Sequence, residues 1–170
     1  AHLHAEASEV LGVPIISGYG STECPGLAYN HLGDSEAVLK TDGRAVEGVE
    51  IRIARTPAPE ETNGAEAAPG GEAPSRDIRA GPGQEGEIRV RGPMLCRGYL
   101  GEVEFPLDEE GFFCTGDLGR LDSAGQLVVS GRIKDIIIRK GENISAKEVE
   151  DLLGSHPGIA EVAVVGLPDP

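Results

Sequence analysis

Apolar positions recur at two spacings along this 170-residue chain. Leu3, Ala7, Val10 and Leu11 share one face of a helical repeat and Gly12 supplies a stop, so residues 1–11 read as the end of an amphipathic helix. Val13-Pro14-Ile15-Ile16-Ser17 is almost continuously apolar, the pattern of a short strand in a parallel sheet covered on both faces; Pro14 is tolerable near its start. Between residues 38 and 53 the period shortens, with Val46, Val49, Ile51 and Ile53 spaced as short strands around Glu47-Gly48. Gly86–Gly92 alternates as a half-exposed strand does, and Cys96–Leu100 is a second stretch broken by glycine. Phe112 and Phe113 lead into a turn at Thr115-Gly116-Asp117, after which Leu118–Leu121 and Gln126–Ser130 pair as a hairpin over Asp122–Gly125. Beyond Gly131 come an apolar strand, Ile136–Ile138, and a turn, Lys140–Asn143. A helix then opens on the capping box Ser145-x-x-Glu148, with Val149, Leu152 and Leu153 as its apolar face. His156-Pro157-Gly158 stops that helix, and Val162–Val165 reads as a further buried strand.

Composition divides the chain. From Arg55 to Gln84, Pro, Gly, Ala and Glu dominate and aromatics are absent, so this stretch reads as a disordered or extended insertion at a hairpin tip. The expected organisation is an α/β tail over 1–44 and an antiparallel β unit over 45–131 carrying the insertion at 55–84. The start of a small α+β unit follows over 132–170, too short to close a core alone. The fold class is mixed, α+β with an α/β portion.

A net charge of −14 argues against nucleic acid or an anionic membrane as the main partner. No apolar run reaches the roughly 18 residues of a membrane span. Cys24, Cys96 and Cys114 form no CxxC pair and read as small buried apolar residues, which fits a reducing, cytoplasmic setting. His2, His4, His31 and His156 form no ligand cluster. The chain begins without Met and without a signal-peptide core, which reads as a fragment.

Polar residues between these apolar runs carry the candidate chemistry. Gly18-Tyr19-Gly20-Ser21-Thr22-Glu23-Cys24-Pro25-Gly26 follows the first strand, and the carboxyl ends of parallel strands are where open α/β sheets place ligands. Thr22 offers a hydroxyl to a phosphate oxygen, and Glu23 a carboxylate to a hard cation such as Mg²⁺. Thr-Glu also opens ordinary helices. Asp117 can accept hydrogen bonds from a vicinal diol, and Arg132 can bind phosphate or a diol; each is equally an ordinary turn residue or surface charge when read alone.

The order of the segments is more specific. YGSTE, GEIRVRGPMLCRGYL, TGD, GRIKDIIIRKGENISAKEVE and VAVVGLPD resemble the adenylate-forming superfamily of acyl-CoA synthetases, peptide-synthetase adenylation domains and luciferases, over nearly the whole chain except 55–84. The resemblance implies ATP (bound as AMP after reaction), Mg²⁺ and CoA as the ligands, and a small carboxylic acid as the other substrate. It places Tyr19 near adenine and Gly20 beside the nucleotide. Thr22 falls on the α-phosphate and Glu23 on Mg²⁺, these two being the catalytic groups. Asp117 and Arg132 fall on the ribose. It implies a hinge at Lys134 and a pantetheine tunnel lined by Gly141, Glu142 and Asn143. Gly20, Ser21 and Gly26 fall near the acyl chain. The implied reaction joins acid to ATP as an acyl-adenylate with release of pyrophosphate, then passes the acyl group to a thiol. RKGENISAKEVE resembles the acyl-CoA synthetases more than the peptide-synthetase modules, and the room left by Gly20, Ser21 and Gly26 suits a fatty or alicyclic acid. The alternatives are a domain that loads a carrier protein and a non-catalytic nucleotide-binding fragment. The family's Gly-rich phosphate loop and its distal catalytic lysine have no match here; Lys134, Lys140 and Lys147 do not correspond to that lysine. The expectation is therefore that the isolated chain is inactive.

Overall fold

A computed structural model describes residues 2–55, 78–101, 104–139 and 142–167. Helix α1 (His2–Leu11) ends where the Gly12 N–H returns to the Ser8 carbonyl at 3.0 Å. A three-stranded antiparallel sheet follows, of β1 (Gly18–Tyr19), β2 (Ala28–Tyr29) and β3 (Arg44–Ala45), with the short helix α2 (Glu36–Leu39) between β2 and β3. A five-stranded antiparallel sheet contains β4 (Glu50–Arg55), β5 (Ile78–Arg79), β6 (Gly86–Arg91), β7 (Phe113–Leu121) and β8 (Leu127–Arg132), in the order β5-β4-β6-β7-β8. A 3-10 turn over Ile133–Asp135 leads into the hairpin β9 (Ile136–Arg139) and β10 (Glu142–Ser145), and helix α3 (Ala146–Gly154) follows. The mixed class expected from the sequence is thus found, with every strand pair antiparallel.

The two larger sheets share one core. Cys24, Leu27 and Ala28 from the first pack with Val49, Ile53, Ile88, Val90, Phe113 and Leu127 from around the second. The loop after α2 joins them at the edge: the Asp42 N–H donates to Leu127 O at 2.8 Å, Leu127 N–H donates to Gly43 O at 2.8 Å, and the Asp42 carboxylate accepts from Val129 N–H at 2.8 Å. Bonds of this kind satisfy the outer side of β8, which otherwise presents an unpaired edge.

Four sequence expectations are corrected. Residues 13–17 form no strand; Ile15 N–H goes to the Ser8 hydroxyl, and Val13 and Ile16 stay about half exposed, at 52% and 48%. A covered parallel strand needs a strand on each side; here the Ser17 carbonyl accepts from Asn30 N–H at 3.0 Å just before β1, and no strand forms over 13–17. Val162–Val165 is likewise extended without ladder pairing, with Val165 73% exposed. Thr115-Gly116-Asp117 is not a turn between strands but an irregularity inside β7. β6 is not half exposed, because Arg89, an outward position in the alternation, is buried. Of the insertion expected over 55–84, residues 56–77 lie outside the described residues. Arg55 pairs with Ile78 across β4 and β5, and the Ala80 and Gly83 N–H groups donate to Ile53 O and Leu121 O, so 78–84 is tied to the sheet and not part of a disordered stretch.

Arg89 is tolerated in the interior because its charge is answered there. Its Nε donates to Glu87 at 3.0 Å and its Nη1 to Asp108 at 3.1 Å; Arg52 donates to the same Asp108 carboxylate, and to Glu110 at 2.7 Å. Phe112 lies between the Arg52 and Arg91 guanidiniums, whose carbons sit 4.2 and 4.4 Å from the ring centroid. Burial opposes ionisation of Asp108, yet the N–H groups of Phe112 and Glu110 and the two arginines outweigh it, so its pKa falls below the ordinary aspartate range. A lowered pKa stabilises the fold above the unfolded value and ceases to do so as pH falls through the folded one. Asp108→Asn should therefore cost roughly 3 kcal/mol at neutral pH, as removal of one partner from a buried ion pair does. The gap from wild type should narrow below about pH 4, where the unfolded aspartate also takes up its proton. Urea denaturation across pH tests this, and a gap independent of pH would contradict it.

Candidate functional site

The loop between β1 and β2 is tight. Leu27 N–H donates to Tyr19 O at 2.8 Å, Ser21 N–H to Cys24 O at 3.1 Å, and Cys24 N–H to the Ser21 hydroxyl at 3.2 Å. Gly20 meets Gly26 so closely that a Cβ at position 20 would lie 2.6 Å from the Gly26 nitrogen. This loop is therefore a hairpin connection rather than the mouth of a parallel strand. Thr22 is exposed on it.

Tyr19, Asp117 and Arg132 come from distant parts of the chain and meet. The Tyr19 hydroxyl donates to Asp117 Oδ2 at 2.7 Å, and Arg132 Nε donates to Asp117 Oδ1 at 2.7 Å. Asp117 and Arg132 face each other in the β7–β8 register. Burial pushes the Tyr19 phenol well above the ordinary tyrosine range; the Thr115 hydroxyl pulls the other way, and Asp117 adds to the rise. Asp117 itself raises the Arg132 pKa. Each Asp117 oxygen takes one hydrogen bond here, and a carboxylate oxygen has room for a second, so both oxygens can still accept from adjacent hydroxyls.

Glu23 lies midway along the loop. Its carboxylate accepts from the Tyr99 hydroxyl at 2.8 Å, which, with its own backbone N–H, holds it below the usual carboxylate range; the Arg132 charge acts in the same direction. Tyr99 packs edge-on against Phe105 (5.4 Å between centroids), and Phe105 stacks on Phe113 of the core (4.9 Å). An ionised, accessible carboxylate suits a hard cation that completes its shell with water and phosphate oxygens, as Mg²⁺ does. Among the described residues no group of three or more His, Cys, Asp or Glu side chains is arranged to hold a metal without such help.

Lys134 is exposed in the 3-10 turn directly after Arg132, and both border a cleft of about 640 Å³ facing α3. Gly141 lies outside the described residues. Glu142 and Asn143 pair through their backbones with Arg139 and Ile138, and their side chains are not described. Ser21 closes the loop locally, and Gly26 is buried under Tyr29. Sequence reasoning passed over Tyr99, Thr115 and Glu87. The TGD segment itself was the available signal for Thr115, since a threonine beside a special-geometry glycine often bonds the backbone.

Residues 1–100 match the AMP-binding enzyme family. The chain is 41% identical over 165 residues to a protein of Escherichia coli named medium-chain fatty-acid–CoA ligase; the match covers 93% of this chain and 25% of that one. It is 50% identical over 92 residues to the salicyl-AMP ligase / salicyl-S-ArCP synthetase of Mycobacterium tuberculosis, covering 52% of this chain and 16% of that one. Among solved structures, ATP-bound MatB from Rhodopseudomonas palustris superposes with a TM-score of 0.80 at 30% identity, over 98% of this chain and 30% of the other. The chain thus spans about a quarter of the length of the Escherichia coli relative.

The geometry also predicts a backbone constraint. Gly116 sits at φ +71°, and a Cβ there would meet nothing within 4 Å. Gly116→Ala should therefore cost only the left-handed backbone penalty, about 1–2 kcal/mol, and Gly116→Asn less, because asparagine tolerates that region better. Denaturant midpoints of the two variants measure this; an alanine variant as stable as wild type would contradict the assigned backbone.

Proposed function

This chain belongs to the AMP-binding enzyme family, and we propose that it is part of an ATP-dependent acyl-CoA synthetase. The reaction joins a carboxylic acid to the α-phosphate of ATP with loss of pyrophosphate, then transfers the acyl group to the CoA thiol with release of AMP. The observation that carries this reading is the meeting of Tyr19, Asp117 and Arg132 beside the loop that bears Thr22 and Glu23.

Asp117 takes the two ribose hydroxyls on the free lone pairs of its oxygens, with Arg132 beside it. Tyr19 and Gly20 border the adenine and ribose. Thr22, exposed on its loop, donates to the α-phosphate. Glu23, kept ionised by Tyr99, is the side chain that would hold Mg²⁺, and that ion supplies charge neutralisation at the phosphates. Ser21, Gly20 and Gly26 lie toward the acyl group. Lys134 is the pivot between half-reactions, and Gly141, Glu142 and Asn143 line the pantetheine path. Residues 1–131 finish the large unit, and 132–170 begin the small one. A fatty acid is favoured as substrate by the resemblance to the medium-chain ligase, and a cytoplasmic setting by CoA chemistry; no helix among the described residues is long and apolar enough to cross a membrane.

A second reading has its own support. The 50% identity to a salicyl-S-ArCP synthetase over half the chain favours loading of a carrier protein. The longest natural polypeptide containing this chain, given ATP, a panel of carboxylic acids and either CoA or a phosphopantetheinylated carrier, distinguishes the two by which thioester forms. No pyrophosphate release with any acid would reject both.

Two substitutions test the residue roles. Asp117→Ala should weaken ATP binding about ten- to hundredfold, the loss expected for hydrogen bonds to a charged group worth about 1.5–3 kcal/mol. An unchanged affinity by calorimetry would remove the ribose assignment. Lys134→Pro should spare adenylate formation and block thioester formation, since proline fixes φ at the pivot; equal loss of both half-reactions would remove the pivot.

A further inference from the structure

We propose that Thr115 and Glu87 are positioning residues for the Asp117 carboxylate, side chains that hold the irregularity of β7 open so that Asp117 faces Tyr19 and Arg132. The inference rests on the reading of Asp117 as the ribose-binding group.

The register carries it. Glu87 opposes Leu118 and Arg89 opposes Cys114, so Thr115, Gly116 and Asp117 all lie across from the one residue Ile88. Extra residues in one strand leave backbone groups without ladder partners, and buried groups of that kind need replacements. Two side chains provide them. The Thr115 hydroxyl donates to Ile88 O at 2.7 Å and accepts from the Asp117 N–H at 3.1 Å. Glu87 Oε1 accepts from the Gly116 N–H at 3.2 Å. The other Glu87 oxygen is held by Arg89, which Asp108 holds in turn.

The alternative state is specific. Side chains alternate faces along a strand, so moving Asp117 by one position reverses the face it points to. The Glu87 and Thr115 side chains satisfy the backbone N–H groups of Gly116 and Asp117, and the Thr115 hydroxyl also satisfies the carbonyl of Ile88 opposite them. Neither side chain needs to touch a nucleotide to affect how Asp117 meets it.

The test compares ATP with 2′,3′-dideoxy-ATP by titration calorimetry, in the longest natural polypeptide containing this chain. Thr115→Val keeps the side-chain shape and removes both hydrogen bonds. It should weaken ATP binding roughly five- to tenfold, the loss of about one hydrogen bond, and leave dideoxy-ATP binding within about twofold of wild type, since that nucleotide offers no hydroxyls for Asp117 to accept from. Thr115→Ser should restore ATP affinity. Glu87→Ala, which removes the acceptor for the Gly116 N–H, should resemble Thr115→Val. Equal weakening toward both nucleotides by Thr115→Val, or no weakening toward either, would overturn the proposal. Asp117→Ala serves as the reference: if it fails to remove the preference for ATP over dideoxy-ATP, the ribose reading itself falls. If it removes that preference while Thr115→Val does not reduce it, only the positioning role falls. The Thr115 variants decide the matter should Glu87→Ala not fold.

Discussion

A single carboxylate joins the parts of this structure that matter for function. Asp117 accepts from Tyr19 of the three-stranded sheet and from Arg132 at the end of β8, both at 2.7 Å. These are short, charge-assisted contacts, stronger than neutral ones. With one oxygen directed to each partner, the carboxylate fixes where the first sheet's loop lies relative to the strand that leaves the second. A regular β7 offers Asp117 only the two faces of the pleat. The irregularity at residues 115–117 sets which of the two it takes, the one toward Tyr19 and Arg132.

Two arginine–carboxylate systems lie close together and do different work. Around β4 and β6, Arg52, Arg89, Glu87 and Asp108 pair with one another in a nearly dry setting, with Asp108 and Arg89 side chains each 10% exposed, although the buried Arg52 Nε has no hydrogen-bond partner. Such groups add little net stability over an apolar core, but losing one partner leaves an uncompensated charge. They therefore enforce one arrangement of the loop around Asp108 and of the strand beside it. The Arg132–Asp117 pair is different: Arg132 is 51% exposed, so solvent and salt weaken the pair and leave it open to rearrangement when a ligand competes. The chain carries 29 acidic side chains against 15 Lys and Arg, so its overall field repels an anionic ligand. Local cations such as Arg132 matter more than that total, because exposed charges more than about 8 Å away are largely screened at physiological salt.

The sequence was most legible where local pattern and tertiary context agree. The hairpin over Asp122–Gly125 and the Ser145 cap, whose hydroxyl accepts from Glu148 N–H at 3.3 Å, need only neighbours in the chain and are found as expected. Val13–Ser17 and Val162–Val165 are as apolar as buried strands, yet an apolar run states only that a surface is to be covered, not by which neighbour. Arg89 deceived the alternation rule because the carboxylates that make its burial tolerable come from two residues away and from the loop at Asp108. At the site, the residue types at Tyr19, Glu23, Asp117 and Arg132 were readable. That Asp117 and Arg132 share a register pair was not, because register follows from which backbone groups remain unpaired, and at 115–117 that depends on Thr115 and Glu87.

The position of Arg132 sets a condition on any motion beyond it. Arg132 is the last residue of β8 and is paired with Asp117, while Lys134 lies two residues on in a 3-10 turn. A rotation about Lys134 transmits force to the strand through Ile133 alone. The ladder that holds Arg132 ends where the turn begins, so the segment from Ile136 onward can reorient without breaking a β7–β8 bond. Among the contacts it must give up is the Ser145 hydroxyl on Ser130 O at 3.2 Å. A net hydrogen bond of this kind is worth about 1 kcal/mol, small enough for ligand binding to outweigh. The Asp117–Arg132 pair and the turn at Lys134 can therefore be neighbours in sequence and still be mechanically separate, because the end of the ladder falls between them.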